Sequence, residues 1–331
     1  MVMLQANYKA MRAAIGRRVR YPINRWKMET DMLDQQELED SCCDIVFSHR
    51  GFPVNCGKHP IIWMNAIVDP EMTQKFFKIS QDKWDEEVAA KGYLFRKATA
   101  VQVCSEAEAE RHARTFPDIA SRFVPIPLFV PHALPTSESI LDKHRKAKLV
   151  KFLFVGNQAR RKGLQETLNA FELLPPAARR SASLTVVSRF ERGRIAIPND
   201  PHIIVHRGLP QVKVLDLMRD SHVLVNVAHH ESYSMIFPEA MSQGMLCLGP
   251  DWEVQRELFD NGHAGMNVRC DVNLLRDAML RVIEDEDYRM ALASSGWRRF
   301  NERYAPNVVA CKYEEMFRAV VAGKYTNGAN R

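Results

Sequence analysis

The sequence contains no run near the ~18 consecutive apolar residues that a membrane-spanning helix needs. Its least polar stretch, Phe123 to Pro135, is interrupted by Pro125, Pro127 and Pro131, which break a helix, so the chain is not expected to cross a bilayer. Glycine (15) and proline (17) are too few among 331 residues for a collagen-like or low-complexity chain, and no internal repeat is visible. Charge of one sign is barely in excess, with 46 basic against 40 acidic residues and a balance of +6. That is too little by itself to demand nucleic acid, and it suits phosphate-bearing small molecules equally well. Aromatic and basic residues do not interleave in a recognisable nucleic-acid module, so no nucleic-acid partner is expected. Neither Gly-x-Gly-x-x-Gly nor Gly-x4-Gly-Lys-Ser/Thr occurs, which removes the commonest dinucleotide and triphosphate loops.

An even cysteine framework is also missing, and no secretory leader is expected. The seven cysteines, Cys42, Cys43, Cys56, Cys104, Cys247, Cys270 and Cys311, are scattered, as expected of reduced thiols in the cytoplasm. Cys43, His49, Cys56 and His59 contain zinc-ligand types, but their spacings match no common finger, and no metal is expected. Cys247, inside Met245-Leu246-Cys247-Leu248, reads as a small core residue.

Against these absences, 46% apolar and 26% charged residues describe an ordinary globular chain long enough for two domains. Charge is organised in blocks only at the N-terminus. Residues 1–27 carry seven basic side chains and no acid, and Glu29 to Asp44 carries seven acids and no base. Tyr8, Met11, Ala14 and Ile15 fall at helical spacing within the basic block. The block therefore suits peripheral contact with an anionic membrane, a transit peptide, or a solvated segment paired with the acids beside it.

From residue 44 onward, short apolar runs alternate with amphipathic stretches, which predicts a mostly parallel sheet connected by helices. Strands are expected at Asp44 to Ser48, Pro60 to Met64, Ala100 to Cys104 and Arg122 to Ile126, then at Leu149 to Val155, Leu184 to Ser188, Ile203 to His206, Val223 to Val227, Met245 to Leu248 and Met266 to Val268. Leu164, Leu168, Phe171 and Leu174 line one helical face before Pro175-Pro176. From Val272 to Gly323 the pattern is helical throughout. These signals divide the chain into residues 1–135, a polar linker at 136–148, a second domain at 149–322 and a tail at 323–331.

Two segments carry chemistry. In the first, the apolar Phe152-Leu153-Phe154-Val155 ends at Gly156, a loop Asn157-Gln158-Ala159-Arg160-Arg161-Lys162 follows, and a helix starts near Gly163. In open parallel sheets ligands sit beyond the strands' carboxyl ends, where helix N-termini offer free N–H groups to anions. The loop is thus a diphosphate candidate, or else a solvated basic turn. In the second, a strand from Val223 to Val227 delivers Glu231-Ser232-Tyr233-Ser234 into a loop before a helix starting around Ser234 to Met235. The N–H groups of Ser234, Met235 and Ile236 would face the same edge, with Glu231 before the helix and Glu239 about one turn inside. A carboxylate accepts two hydrogen bonds at once, which suits vicinal sugar hydroxyls. The alternative is that Glu231 caps the helix and Glu239 is a surface acid.

The Glu231-x7-Glu239 pair, the Glu239-Ala240-Met241-Ser242-x-Gly244 helix, Lys162-Gly163-Leu164, Arg207-Gly208-Leu209 and Glu253 occur in an order that resembles the retaining GT-B glycosyltransferases of family four. Ala98 to Glu106 and Phe123 to Pro127 extend the resemblance into the first half. It implies an α/β GT-B fold, two Rossmann-like domains facing across a cleft with helices after the second sheet, and an abbreviated acceptor-side domain. The implied reaction is transfer of a sugar from a nucleoside diphosphate sugar to a glycan, lipid-linked or small-molecule acceptor. No cofactor or metal ion is implied, the nucleotide sugar being a substrate. The implied donor site comprises Gly156, Asn157, Arg160, Arg161, Lys162, Arg207, Glu231, Ser232, Tyr233, Ser234, Met235, Ile236 and Glu239. Within it Lys162 and its neighbouring arginines hold the diphosphate, Glu239 the ribose and Glu231 the transferred sugar; Glu231, Lys162 and Arg161 form the catalytic set. Departures from the family pattern are Asn157 in place of a common arginine, Ser232-Tyr233-Ser234 in place of Gly-Phe-Gly, and Asn65 where a histidine is common, with His49 as a substitute on the acceptor side. They motivate a second reading, a non-catalytic binding or partner subunit on the same scaffold.

Overall fold

A computed structural model describes residues 45–49, 60–64, 80–130, 135–145, 147–189 and 195–325. The basic and acidic N-terminal blocks, Cys42, Cys43, Cys56, His59 and Asn65 lie outside them. The four apolar runs of the first half form β1 (Val46–His49), β2 (Ile61–Met64), β3 (Ala100–Val103) and β4 (Phe123–Pro125). All pair in parallel in the order β1-β2-β3-β4. Helix α1 (Gln81–Lys97) is capped by Ser80, and α2 (Glu106–Thr115) by Ser105, whose side chain accepts the Glu108 N–H at 3.1 Å.

Alternation along the strands separates the two faces of this sheet. Trp63, Val101 and Val103 join Phe95, Phe116 and Phe123 in one cluster, while Ile62 and Ala100 join Phe47 and Ile126 in another. The second cluster is completed from the far end of the chain by α11 (Pro306–Val321), whose Val309, Tyr313, Met316, Phe317 and Val320 are buried there. Phe47 packs edge-on to Tyr313 and Phe317 at centroid distances of 6.0 and 5.8 Å. Residues 305–331 therefore group with the first unit, not with the second domain to which the sequence pattern assigned residues up to 322. The apolar stripe of a helix marks which face is buried and carries no information about which sheet receives it.

The second unit spans His132–Tyr304. It contains α3 (Ser137–His144), β5 (Val150–Val155), α4 (Leu164–Glu172), α5 (Pro176–Arg180), β6 (Ala182–Val187), β7 (Ile203–His206), α6 (Gln211–Asp220) and β8 (Val223–Val225). It continues with α7 (Ile236–Ser242), β9 (Leu246–Gly249), α8 (Glu253–Leu258), β10 (Met266–Asn267), α9 (Val272–Glu284) and α10 (Glu286–Arg303). Its six parallel strands run in the order β10-β9-β8-β5-β6-β7. The chain steps outward from β5 through β6 to β7, then returns to pair β8 against the other side of β5, with Phe152 opposite Val223 and Leu153 opposite Leu224. The order reverses between β5 and β8, and such a switch point leaves a crevice at the strands' carboxyl ends. Phe152, Phe154, Leu164, Leu168 and Phe171 are fully buried with Val223, Val225, Leu246 and Leu248 in the core beneath.

Residues 136–148, read from sequence as a linker, instead contribute α3 to this unit. Thr136 caps it, and Ile140 and His144 are buried. His144 Nε2 donates to the Gly244 carbonyl at 2.9 Å, Lys143 Nζ to the Gln243 carbonyl at 2.8 Å, and Arg289 to the His144 carbonyl at 3.2 Å. Gly244 has φ +67°, and a Cβ there would lie 2.4 Å from Ile140, so only glycine admits the helix this closely. A count of apolar residues misses such an element because polar side chains bonded to backbone carbonyls dock it.

Candidate functional site

The crevice between β5 and β8 receives both segments singled out from the sequence. Gly156, just past β5, donates its N–H to the Val187 carbonyl at 3.0 Å, and a Cβ on it would stand 3.1 Å from Lys162 Cγ. The Lys162 stem thus lies over a residue that has no side chain. Gly163 ends the loop at φ +75°, and a Cβ there would be 2.6 Å from the Val227 carbonyl oxygen. A left-handed, backbone-to-backbone contact admits only glycine, and it sets the start of α4 against the end of β8. Asn226, fully buried, joins three strand ends: its Nδ2 donates to the Val155 carbonyl at 3.1 Å and its N–H to the Leu248 carbonyl at 3.0 Å.

Beyond Asn226 the loop is fastened from several sides. The His229 N–H donates to the Arg161 carbonyl at 2.8 Å, Arg161 to the His230 carbonyl at 2.8 Å, and Gln255 to the Tyr233 carbonyl at 3.1 Å. Glu231 is buried by this arrangement, and its carboxylate receives Lys162 Nζ together with Arg161 at 3.2 Å. Lys162 also reaches Ser234 Oγ at 3.2 Å. Burial pushes the Glu231 carboxyl up, but Lys162 and Arg161 outweigh it and hold the group below its ordinary value. Burial likewise lowers Lys162, and Glu231 opposes that shift.

Ser234 adopts φ +65°, a left-handed conformation that costs a side-chain-bearing residue about 1 kcal/mol or more. This turn lets α7 begin immediately afterwards. The N–H groups of Ser234, Met235 and Ile236 find no backbone acceptor among the described residues. Glu239, in the first turn of α7, is 7% exposed. Burial alone raises its carboxyl to about 7, with no basic partner among the causes. It is neither a surface acid nor a cap, and Glu231 makes no capping bond either.

Of the residues predicted from sequence, the structure joins Arg161, Lys162, Glu231 and Ser234 in one network. Gly156 lies beneath it, the half-buried Ser232 and the buried Tyr233 lie within its loop, and Met235, Ile236 and Glu239 open the following helix. Asn157 and Arg160 are solvent-exposed on the basic loop and make no bond to this network. Arg207 is exposed beyond β7, two strands away from β5 on the side opposite β8. His49 ends β1 in register with Met64, in the first unit. Sequence reading missed Asn226 and Gln255. Asn226 had a signal, since one amide interrupts the apolar run Val223-Leu224-Val225-Asn226-Val227, and a buried amide must find partners.

Residues 137–299 match the family model of glycosyl transferases group 1. The matched residues fall within the second unit. No curated protein sequence matches the chain. Among solved structures, sucrose-phosphate synthase from Thermosynechococcus elongatus is similar at 15% identity and TM-score 0.66, covering 87% of this chain and 76% of that one. Anabaena HepE in complex with UDP is similar at 15% identity and TM-score 0.68, covering 86% and 80%. WaaG, a glycosyltransferase involved in lipopolysaccharide biosynthesis, is similar at 16% identity and TM-score 0.65, covering 95% of each chain. At such identities the likeness concerns the fold, which is GT-B. The matched residues include the β5–β8 crevice and the whole Lys162–Glu231 network. No helix among the described residues is long and apolar enough to cross a membrane.

Proposed function

We propose that the protein is a retaining glycosyltransferase that takes a sugar from a nucleoside diphosphate sugar and passes it to an acceptor hydroxyl. The observation that carries this reading is Glu239: a buried carboxylate with no basic partner among the described residues, one turn inside a helix whose first N–H groups find no backbone acceptor among them, beside a Lys162–Arg161–Glu231 cluster. The vicinal hydroxyls of a ribose supply the donors that Glu239 lacks. A diphosphate supplies the negative charge that the helix start and the two cations favour. Anabaena HepE, similar in fold, is known in complexes with UDP and with UDP and glucose, which supports a uridine nucleotide as the first donor to try.

In the mechanism we favour, the bond from the anomeric carbon to the diphosphate oxygen breaks while the acceptor oxygen attacks from the same face. The acceptor proton passes to the departing phosphate oxygen. Lys162, Arg161 and the α7 amino end stabilise the charge that develops on the leaving group, the work a metal ion performs elsewhere. Glu231, freed from the cations as they turn to the diphosphate, accepts hydroxyls of the transferred sugar. The acceptor is a glycan, a lipid-linked sugar or a small molecule, with peripheral membrane contact through residues 1–27 as an accompanying proposal.

Thermal unfolding against a panel of nucleoside diphosphates and their sugars tests the reading. A ligand at ~100 times its dissociation constant stabilises by about 2.7 kcal/mol, so one base should stand out, and its sugar should be hydrolysed or transferred. Binding without any turnover would favour the partner-subunit reading that the exposed Asn157 motivates. No response to any nucleotide would end the donor reading and leave a partner subunit without a donor site.

A further inference from the structure

Next to the donor crevice, three side chains from separate elements each direct one ligand atom at a common point. Glu166 lies in the first turn of α4, His229 follows β8, and Cys270 immediately precedes Asp271, the cap of α9. Glu166 Oε1 is 3.0 Å from His229 Nε2, and Cys270 Sγ is 3.8 Å from that same nitrogen. All three atoms lie within 4.8 Å of one another.

A cysteine–histidine–glutamate relay would engage the two ring nitrogens separately, with the thiol on one and the carboxylate on the other. Here both face Nε2, which is either a donor to Glu166 or an acceptor from Cys270 and cannot be both. The second oxygen of Glu166, Oε2, is buried and has no hydrogen-bond partner among the described residues. An oxygen, a nitrogen and a sulfur that converge this way leave lone pairs that a cation would satisfy. Ligands about 2.0 to 2.3 Å from a tetrahedral ion are separated by about 3.3 Å for nitrogen and oxygen and about 3.6 Å for nitrogen and sulfur, close to the spacings present. The imidazole and thiolate select a zinc-class ion over magnesium or calcium. His229 is half exposed, which provides an entry path.

We propose that Glu166, His229 and Cys270 bind a divalent transition-metal ion of the zinc class, with a fourth position open to solvent. Binding replaces the thiol proton, which is released to solvent, and forms the metal–sulfur bond. The ion ties α4, the β8 loop and the start of α9 together. Because the His229 N–H holds the Arg161 carbonyl and Glu231 follows two residues later, the clamp steadies the loop that carries Glu231. This role is structural and separate from the donor chemistry.

Cobalt(II) is the probe. Titrating the metal-free full-length protein should give a thiolate-to-cobalt charge-transfer band with one equivalent bound, and zinc should displace it. The isosteric Cys270→Ser should lose the band, and His229→Gln should weaken binding about 10- to 100-fold. Zinc should raise the unfolding temperature of the parent and leave that of Cys270→Ser unchanged, while magnesium moves neither. Absence of the band in the parent overturns the proposal. So does a band that persists in Cys270→Ser, because the thiolate would then belong to another cysteine. A Cys270→Ser protein that unfolds at the parent's metal-free temperature shows that the loss of the band is not a loss of folding.

Discussion

Lys162 Nζ donates to the Glu231 carboxylate across 69 residues of sequence. The cation expected to meet a diphosphate is thus already neutralised in the free protein by the acid expected to meet the sugar. Two partly buried charges held together in this way avoid the cost of standing alone, and the pair must be reorganised when a donor enters.

That relationship separates three variants. Lys162→Ala removes the charge facing the diphosphate and should weaken nucleoside diphosphate and intact donor alike, by about 1.5 to 3 kcal/mol. Glu239→Gln should weaken every ligand that carries a ribose, whatever sugar follows. Glu231→Gln releases Lys162 and Arg161, so free diphosphate should bind as in the parent or more tightly while turnover falls. Calorimetry and turnover measured side by side give the comparison. If Lys162→Ala and Glu239→Gln both bind nucleotide like the folded parent, the donor site lies elsewhere.

Glu239 should make the protein's stability depend on pH in an unusual direction. Its folded value of about 7 stands above the ordinary 4.5, so between these limits the folded state holds a proton that the unfolded state has released. Stability should therefore fall as pH rises from about 4.5 to about 7 and then level off, by about 3 kcal/mol in total from this group. Glu239→Gln should be the more stable protein at pH 8. Ribose hydroxyls favour the ionised carboxylate, so nucleotide affinity should rise over the same window and binding should release a proton. Urea unfolding of parent and variant at pH 5 and pH 8 decides the first point, and an identical pH dependence in both would refute it.

Ser234 combines strain with a useful hydroxyl. Glycine relieves the φ of +65° but loses the bond from Lys162, whereas alanine keeps the strain and loses the bond as well. Ser234→Gly should therefore be more stable than Ser234→Ala by about 1 kcal/mol. Chemical denaturation of the two variants measures the difference, and equal stabilities would mean that the backbone turn costs nothing.

Much of the architecture was legible in the sequence because local pattern determines it. Apolar runs such as Phe152 to Val155 and Met245 to Leu248 predict buried strands of a parallel sheet, and Leu164, Leu168 and Phe171 fix a helix face by spacing alone. The basic loop and the Glu231–Glu239 pair were recognisable because their chemistry is carried by residue type and order. Tertiary structure decided what depends on neighbours. The reversal of strand order between β5 and β8 brings Lys162 to Glu231, and no periodicity encodes which strand a chain returns to. Helix 306–321 covers the first sheet because Phe47 needs a partner there, a need written on the other end of the chain. Arg160 and Arg161 are identical in type and adjacent in sequence, yet only Arg161 meets Glu231; the turn between Gly156 and Gly163 sets which of the two faces the crevice.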